Sequence, residues 1–176
     1  MALRRRQSGA VLIVSLLLLL VLTVLGVVMM QTTRMQERMS GATRDLNMAL
    51  QGAEAGLRYG ESVIDAFATQ PFSTGALPCQ VCQPGVLPVA LYDDTQFNWN
   101  VNGQNYGNAG LTSAAGDKLF ANPKYTIEDI GSVPLGDLDQ GHDVGASREF
   151  YQITARSNGS TVLAVTVLQS TYARVY

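Results

Sequence analysis

The stretch AVLIVSLLLLLVLTVLGVVMM, Ala10 to Met30, decides how this chain is read. It carries no charge, and only Ser15, Thr23 and Gly26 interrupt its large and small apolar side chains. At 1.5 Å per residue it makes a helix of about 31 Å, which matches a bilayer hydrocarbon core of about 30 Å. A buried helix of a soluble domain would need an apolar surround, and nothing later in the chain is apolar enough to supply one. The segment is therefore expected to span a membrane. Arg4, Arg5 and Arg6 stand before it, and the first charge behind it is Arg34. The positive-inside rule then expects the N-terminus in the cytoplasm and everything after the span outside it. A removable secretory signal has a shorter apolar region, roughly 7 to 15 residues, closed by small side chains. This run closes on Val27, Val28, Met29, Met30 and Gln31, so a general signal peptidase is expected to leave it intact.

Beyond Met30 the pattern changes from apolar all round to amphipathic, with no proline or turn cluster to stop the helix. Met35, Met39, Ala42, Leu46, Ala49, Ala53, Leu57, Ile64 and Phe67 recur at steps of mostly three and four, one face of an α-helix. Arg34, Glu37, Arg38, Arg44, Asp45, Gln51, Glu54, Arg58 and Glu61 lie on the other face, with opposite charges as near neighbours. Continued to Ala68, such a helix is about 88 Å long. Gly41, Gly52, Gly56 and Gly60 are each expected to weaken it by about 1 kcal/mol relative to alanine. One apolar stripe on its second half calls for a globular head, and 176 residues leave room for about one such domain.

The head begins with a loop over 70–88, which holds Pro71, Pro78, Pro84, Pro88 and both cysteines. Val89 to Asn122 is rich in Asn, Gly, Asp and Ser, with only short strand-like pieces such as Phe97 to Val101. Tyr125 to Ile130 alternates as a strand, and Gly131 to Gly145 reads as a polar loop. Phe150 to Ser157 and Thr161 to Gln169 flank Asn158-Gly159, which predicts a hairpin with a two-residue type I′ turn. A three-stranded antiparallel sheet packed by one face on the second half of the helix follows. The expected class is α+β, with the outline of a lollipop.

Charge excludes one class of function. From Thr69 onward Lys118, Lys124, Arg148, Arg156 and Arg174 face nine Asp and Glu, so the head lacks the basic surface that nucleic acid requires. Catalysis finds little support either. His142 is the only histidine, no G-x-S-x-G surrounds a serine, and no G-x-x-x-x-G-K cradles a phosphate. Cys79-Gln80-Val81-Cys82 is a C-x-x-C set between prolines in a loop, not at the start of a helix after a strand as redox pairs of the thioredoxin kind are. With one histidine and no third cysteine a zinc site lacks its usual ligands. In an oxidising compartment the expected state is a local disulfide. Asp137, Asp139 and Asp143 space carboxylates as a calcium loop does, without the glycine and the distal glutamate of an EF-hand. They are a weak calcium candidate beside the plainer reading of a solvated acidic turn, and no other cofactor is expected.

A short basic leader ending in Gly, an uncharged span and an amphipathic continuation together resemble the N-terminus of type IV pilins, and within them the minor pilins of the PilX kind. The resemblance is carried by Arg5, Arg6, Ser8-Gly9-Ala10, the leucine-rich run to Thr23, Gln36-Glu37-Arg38-Met39 and Ala53-Glu54-Ala55-Gly56-Leu57-Arg58, about the first third of the chain. It implies a leader over 1–9, a transmembrane helix over 10–30, an amphipathic helix over 31–68 and a β-rich head over 69–176. It also implies cleavage by a prepilin peptidase between Gly9 and Ala10, methylation of the new Ala10 amine, and an inner-membrane stage with a periplasmic head before extraction into a pilus. The implied partners are the major pilin, other minor pilins and a tip adhesin, and the implied roles are twitching motility and adhesion. Shaft pilins usually carry Glu at the fifth mature position, where this chain has Val14, and the usual mid-helix proline is replaced near Gln31. GspK-like pseudopilins of type II secretion share the missing Glu and form the nearest alternative. A signal-anchored periplasmic enzyme or sensor is the alternative from another class.

Overall fold

The computed structural model describes residues 10–91, 93, 95–107, 118–136 and 143–176. Helix α1, Ala10–Ala66, runs without a break, and the chain divides into two compact units between Thr43 and Arg44. In the first unit the helix keeps its polar side chains to itself. The Ser15 hydroxyl donates to the Leu12 carbonyl at 2.9 Å and the Thr23 hydroxyl to Leu20 at 2.8 Å. A hydroxyl satisfied within its own helix adds little to the cost of burying the segment in hydrocarbon.

In the second unit, residues 44–66 of α1 pack on one face of a four-stranded antiparallel sheet, so the fold is α+β. The strands are β1 (Gln104–Asn105), β2 (Lys124–Gly136), β3 (Asp143–Asn158) and β4 (Val165–Val175), laid side by side in chain order. The core between helix and sheet holds Ile64, Val81, Tyr125, Ile127, Tyr151, Ile153 and Ala155, with Leu57, Val63, Phe67 and Tyr172 packed around them. Strand positions two apart share a face, which is why Tyr151, Ile153 and Ala155 point together at the helix.

The contact itself is made by small residues. Met48, Ala49, Gly52, Ala53, Gly56, Gly60 and Ile64 are the buried positions of α1, whereas Met35, Met39 and Leu46 of the expected stripe are exposed. Gly52 meets Ser157, Gly56 meets Ala155, and Gly60 meets Ile153. Four helical residues climb about 6 Å and two strand residues about 6.7 Å, so the two ladders stay in step. The apolar periodicity placed this face off centre because glycine, which lets the sheet approach the helix backbone, does not count as hydrophobic. The same glycines that lower helix propensity create the packing surface.

Helix α1 stops at Ala66, where the Phe67 N–H reaches back to the Ile64 carbonyl at 3.2 Å. That carbonyl also accepts from the Arg174 guanidinium, which lies 3.9 Å from the Asp65 carboxylate. A cation from β4 therefore sits on the negative end of the helix dipole.

Three expectations about the sheet are corrected. The region read as a loop from Gly131 to Gly145 is strand over its described ends, because β2 continues to Gly136 and β3 starts at Asp143. A bulge between Asp129 and Gly131 allows this, with Gly131 at φ +125°, a conformation glycine takes without strain. The two-residue hairpin is a longer connection: Asn158 still pairs with Val165, and neither Asn158 nor Gly159 has positive φ. Strand β4 accordingly begins at Val165 rather than Thr161. The third correction is the fourth strand, the short β1, paired at Gln104↔Tyr125 and Asn105↔Lys124.

A second apolar cluster lies in the segment before β1, formed by Cys79, Cys82, Leu87, Leu91, Phe97 and Trp99. The strand-like piece at Phe97 is instead the approach to the short helix α2 (Trp99–Asn102), whose Asn98 side chain accepts the Asn100 N–H at 3.0 Å. Trp99 donates its indole N–H to the Leu91 carbonyl at 2.8 Å and packs edge-on against Phe97.

Candidate assembly surfaces

The first unit offers a surface and no pocket chemistry. Every residue of α1 from Ala10 to Thr43 is exposed in the isolated chain, and the helix is long and apolar enough to cross a membrane. Val14, the fifth residue from Ala10, is half exposed on this uncharged stretch. Ala10 is the first described residue. Gly9 and the basic leader lie outside the described residues.

In the head, Cys79 and Cys82 are joined in a disulfide with Cα atoms 5.2 Å apart, both side chains buried in the second cluster. The bridged loop serves the sheet: the Cys82 N–H donates to the Ile127 carbonyl at 2.8 Å and the Asp129 N–H to the Cys82 carbonyl at 2.9 Å. Glu128 completes the attachment by accepting the Gly85 N–H at 2.7 Å. Of the weak calcium candidates, Asp137 and Asp139 lie outside the described residues, as does His142. Asp143 opens β3, and its side chain is not among those described. Among the described residues no three His, Cys, Asp or Glu side chains converge as metal ligands would.

The site that sequence reasoning missed is a clasp at the start of the head. The Asp45 carboxylate accepts four hydrogen bonds, from the N–H and hydroxyl of Ser160 and of Thr161, at 2.5 to 3.3 Å. The Thr161 hydroxyl first, and then the Ser160 donors, hold its carboxyl below the usual carboxylate range. Asp-to-loop bonds across 115 residues leave no local signal; only the S-T pair after Asn158-Gly159 hints at them. The sign of the pH effect follows from the lowered pKa. The clasp contributes fully above the unfolded-state value near 4 and is lost as pH falls through the folded-state value. Asp45→Asn is expected to lower head stability by about 1 kcal/mol at pH 7, a value discounted for solvent exposure. Thermal unfolding of the detergent-solubilised chain checks it: the gap between wild type and variant should narrow as pH falls below about 4, and a gap that widens there would contradict the clasp.

Aromatic packing holds the middle of the head. Tyr59 of α1 lies 5.0 Å from the ring centroid of Tyr106 and 5.6 Å from that of Tyr125. Burial, with Tyr59 beside it, pushes the Tyr125 hydroxyl up to about 12, so this contact carries no charge at any physiological pH.

What these features make is an exposed apolar helix joined to a braced α+β head, a form suited to packing with other chains. Neither curated proteins nor solved structures supply a match. Two family models do, PilX N-terminal over residues 8–58 and Type IV pilus assembly protein PilX C-term over residues 63–174.

Proposed function

Because the chain belongs to the PilX family of type IV pilus assembly proteins, and is thus a minor pilin, we propose that it joins other minor pilins in a tip complex that primes pilus assembly. The family is one of structural subunits, which favours the pilus over both the secretion-system and the enzyme alternatives. On this reading prepilin peptidase cuts after Gly9, the Ala10 amine is methylated, and the chain waits in the inner membrane with its head in the periplasm. The major pilin and a tip adhesin are its further partners, and twitching motility and adhesion depend on it.

The observation that carries the tip position is Val14. In a packed bundle of such helices, each new N-terminal amine is a buried cation unless a carboxylate faces it, and an uncompensated buried charge costs several kcal/mol. A subunit with valine at the fifth mature place offers no carboxylate to a neighbour. It is a poor repeating unit for the shaft and fits where no neighbour's amine needs neutralising, at the end assembled first. Val14→Glu is expected to move the subunit into the shaft, raising immunogold label along the filament several-fold. Label confined to tips in that variant would count against the charge argument.

The experiment that tests the reading is intact mass and N-terminal sequencing of the chain from native membranes, alongside a gene deletion. A mature chain starting at methylated Ala10, together with loss of pili on deletion, supports it. An intact Met1, or normal pilus number and twitching without the gene, overturns it.

A further inference from the structure

We propose that Tyr59 and Tyr106 form a site of oxidative modification, at which a small peroxide joins the two rings through carbons beside their hydroxyls and ties helix α1 covalently to the β1 side of the sheet.

Both residues belong to the head, and the fold brings them together from two elements. Tyr59 stands on α1, with its ring centroid 5.0 Å from that of Tyr106 and the two planes tilted by 53°. Tyr106 follows β1 directly, and its N–H donates to the Pro123 carbonyl at 2.9 Å, which pins the main chain that carries it. The next residue is Gly107. A Cβ there would collide with the Tyr59 hydroxyl and stand 2.9 Å from Tyr59 Cε2. The oxygen end of Tyr59, with one of its two ortho carbons, is therefore turned toward the chain at Tyr106 and Gly107. That is the edge at which phenoxyl radicals couple, because the unpaired electron is shared between the oxygen and the ring carbons ortho and para to it. Two radicals held this close by packing meet without diffusing together, which favours their coupling over reaction with another chain.

The same rings border a cavity of about 370 Å³, whose other lining residues are Gln51, Glu54, Ala55 and Arg58. Gln51, Glu54 and Arg58 are exposed, so the cavity is polar and roomy enough for molecules the size of water or hydrogen peroxide. The third ring of the group is placed differently. Tyr125 meets Tyr59 edge-on with centroids 5.6 Å apart and is buried. Burial, and then Tyr59 beside it, pushes its hydroxyl up to about 12, so it holds its proton more tightly than a solvated phenol and is the poorer radical site.

The chemistry balances with one peroxide. Tyr59 and Tyr106 each give up one electron and the hydroxyl proton, and a carbon–carbon bond forms between a Cε of one ring and a Cε of the other. The hydrogen on each of those carbons then moves to oxygen and restores both phenols. The pair has lost two hydrogen atoms, and hydrogen peroxide has been reduced to two waters. The product closes the chain between residues 59 and 106, which removes loop entropy from the unfolded state as a disulfide over that span does.

The test treats the full detergent-solubilised chain with hydrogen peroxide and a small haem-peptide catalyst, then maps linked peptides in the monomer by mass spectrometry. The expected product is lighter by two hydrogen atoms, has the peptides of Tyr59 and Tyr106 joined, and unfolds several degrees higher than the untreated chain. Tyr59→Phe and Tyr106→Phe each remove only a hydroxyl and keep the ring packing, and either is expected to abolish the linked peptide. Tyr125→Phe is expected to leave its yield unchanged. A linked peptide that survives either of the first two variants, tyrosines joined in another pair, or no linked peptide at all would each overturn the proposal.

Discussion

Gly60→Leu is expected to destabilise the head by about 3 kcal/mol, while Gly41→Leu is expected to stabilise the helix that both residues share. A Cβ at Gly60 would stand 2.7 Å from Ile153 Cγ2 and 3.3 Å from Tyr125 Cδ2, and both neighbours are buried with nowhere to go. At Gly41 nothing lies within 4 Å. Helix propensity favours leucine over glycine by about 1 kcal/mol at either place. At Gly60 that gain is outweighed, because the helix must lift off β3 and the whole ladder from Gly52 to Gly60 opens with it. Overpacking typically costs about 1 to 3 kcal/mol per site, and a leucine driven into the buried side chains of Ile153 and Tyr125 lies at the top of that range. A net loss of about 3 kcal/mol is a large part of the 5 to 15 kcal/mol that holds an ordinary domain together. Urea unfolding followed by Trp99 fluorescence in detergent measures it. Equal midpoints for the two variants would mean that the glycine face is not the packing surface.

Trp99→Ala is expected to release the disulfide layer without dissolving the sheet. The indole is 2% exposed, fills the second cluster beside Phe97, and satisfies the Leu91 carbonyl. Truncating a buried tryptophan costs about 3 to 5 kcal/mol, and the orphaned carbonyl adds to it. The loss falls on Leu87, Leu91 and the two cysteines, since the helix-facing core around Ile127 and Ile153 shares none of these side chains. Limited proteolysis should then cut between Gln83 and Gly103 while β2, β3 and β4 stay protected. A variant cut no faster than wild type in that segment would show that the second cluster does not depend on its tryptophan.

The long apolar helix was fully legible in the sequence because a span of uncharged residues is a one-dimensional property: composition and length decide it. The existence of β2, β3 and β4 was legible for a similar reason, since alternation survives without knowledge of the partner strand. Boundaries were not. Asn158-Gly159 has the composition of a tight turn, yet Asn158 stays in the ladder and its side chain donates to the Val162 carbonyl at 3.3 Å. The loop is held open from outside by Asp45, and a tertiary bond of that kind overrides local turn preference. The helix face was legible at Ala49, Ala53, Leu57, Ile64 and Phe67 and missed at its glycines, because hydrophobic counting passes over residues that pack by lacking a side chain. The disulfide was legible from context, but its pairing with β2 through the Cys82 main chain was not, because backbone bonds carry no sequence signature.

The direction of α1 against β3 has a mechanical consequence. Contacts at Gly52, Gly56 and Gly60 lie in a row along the helix axis, so tension drawn along that axis loads all of them together in shear, instead of opening them one after another as a zipper would. The Arg174 cap and the Asp45 clasp brace the two ends of the same row. A head joined in this way resists being pulled off its own helix by a force applied along the helix axis.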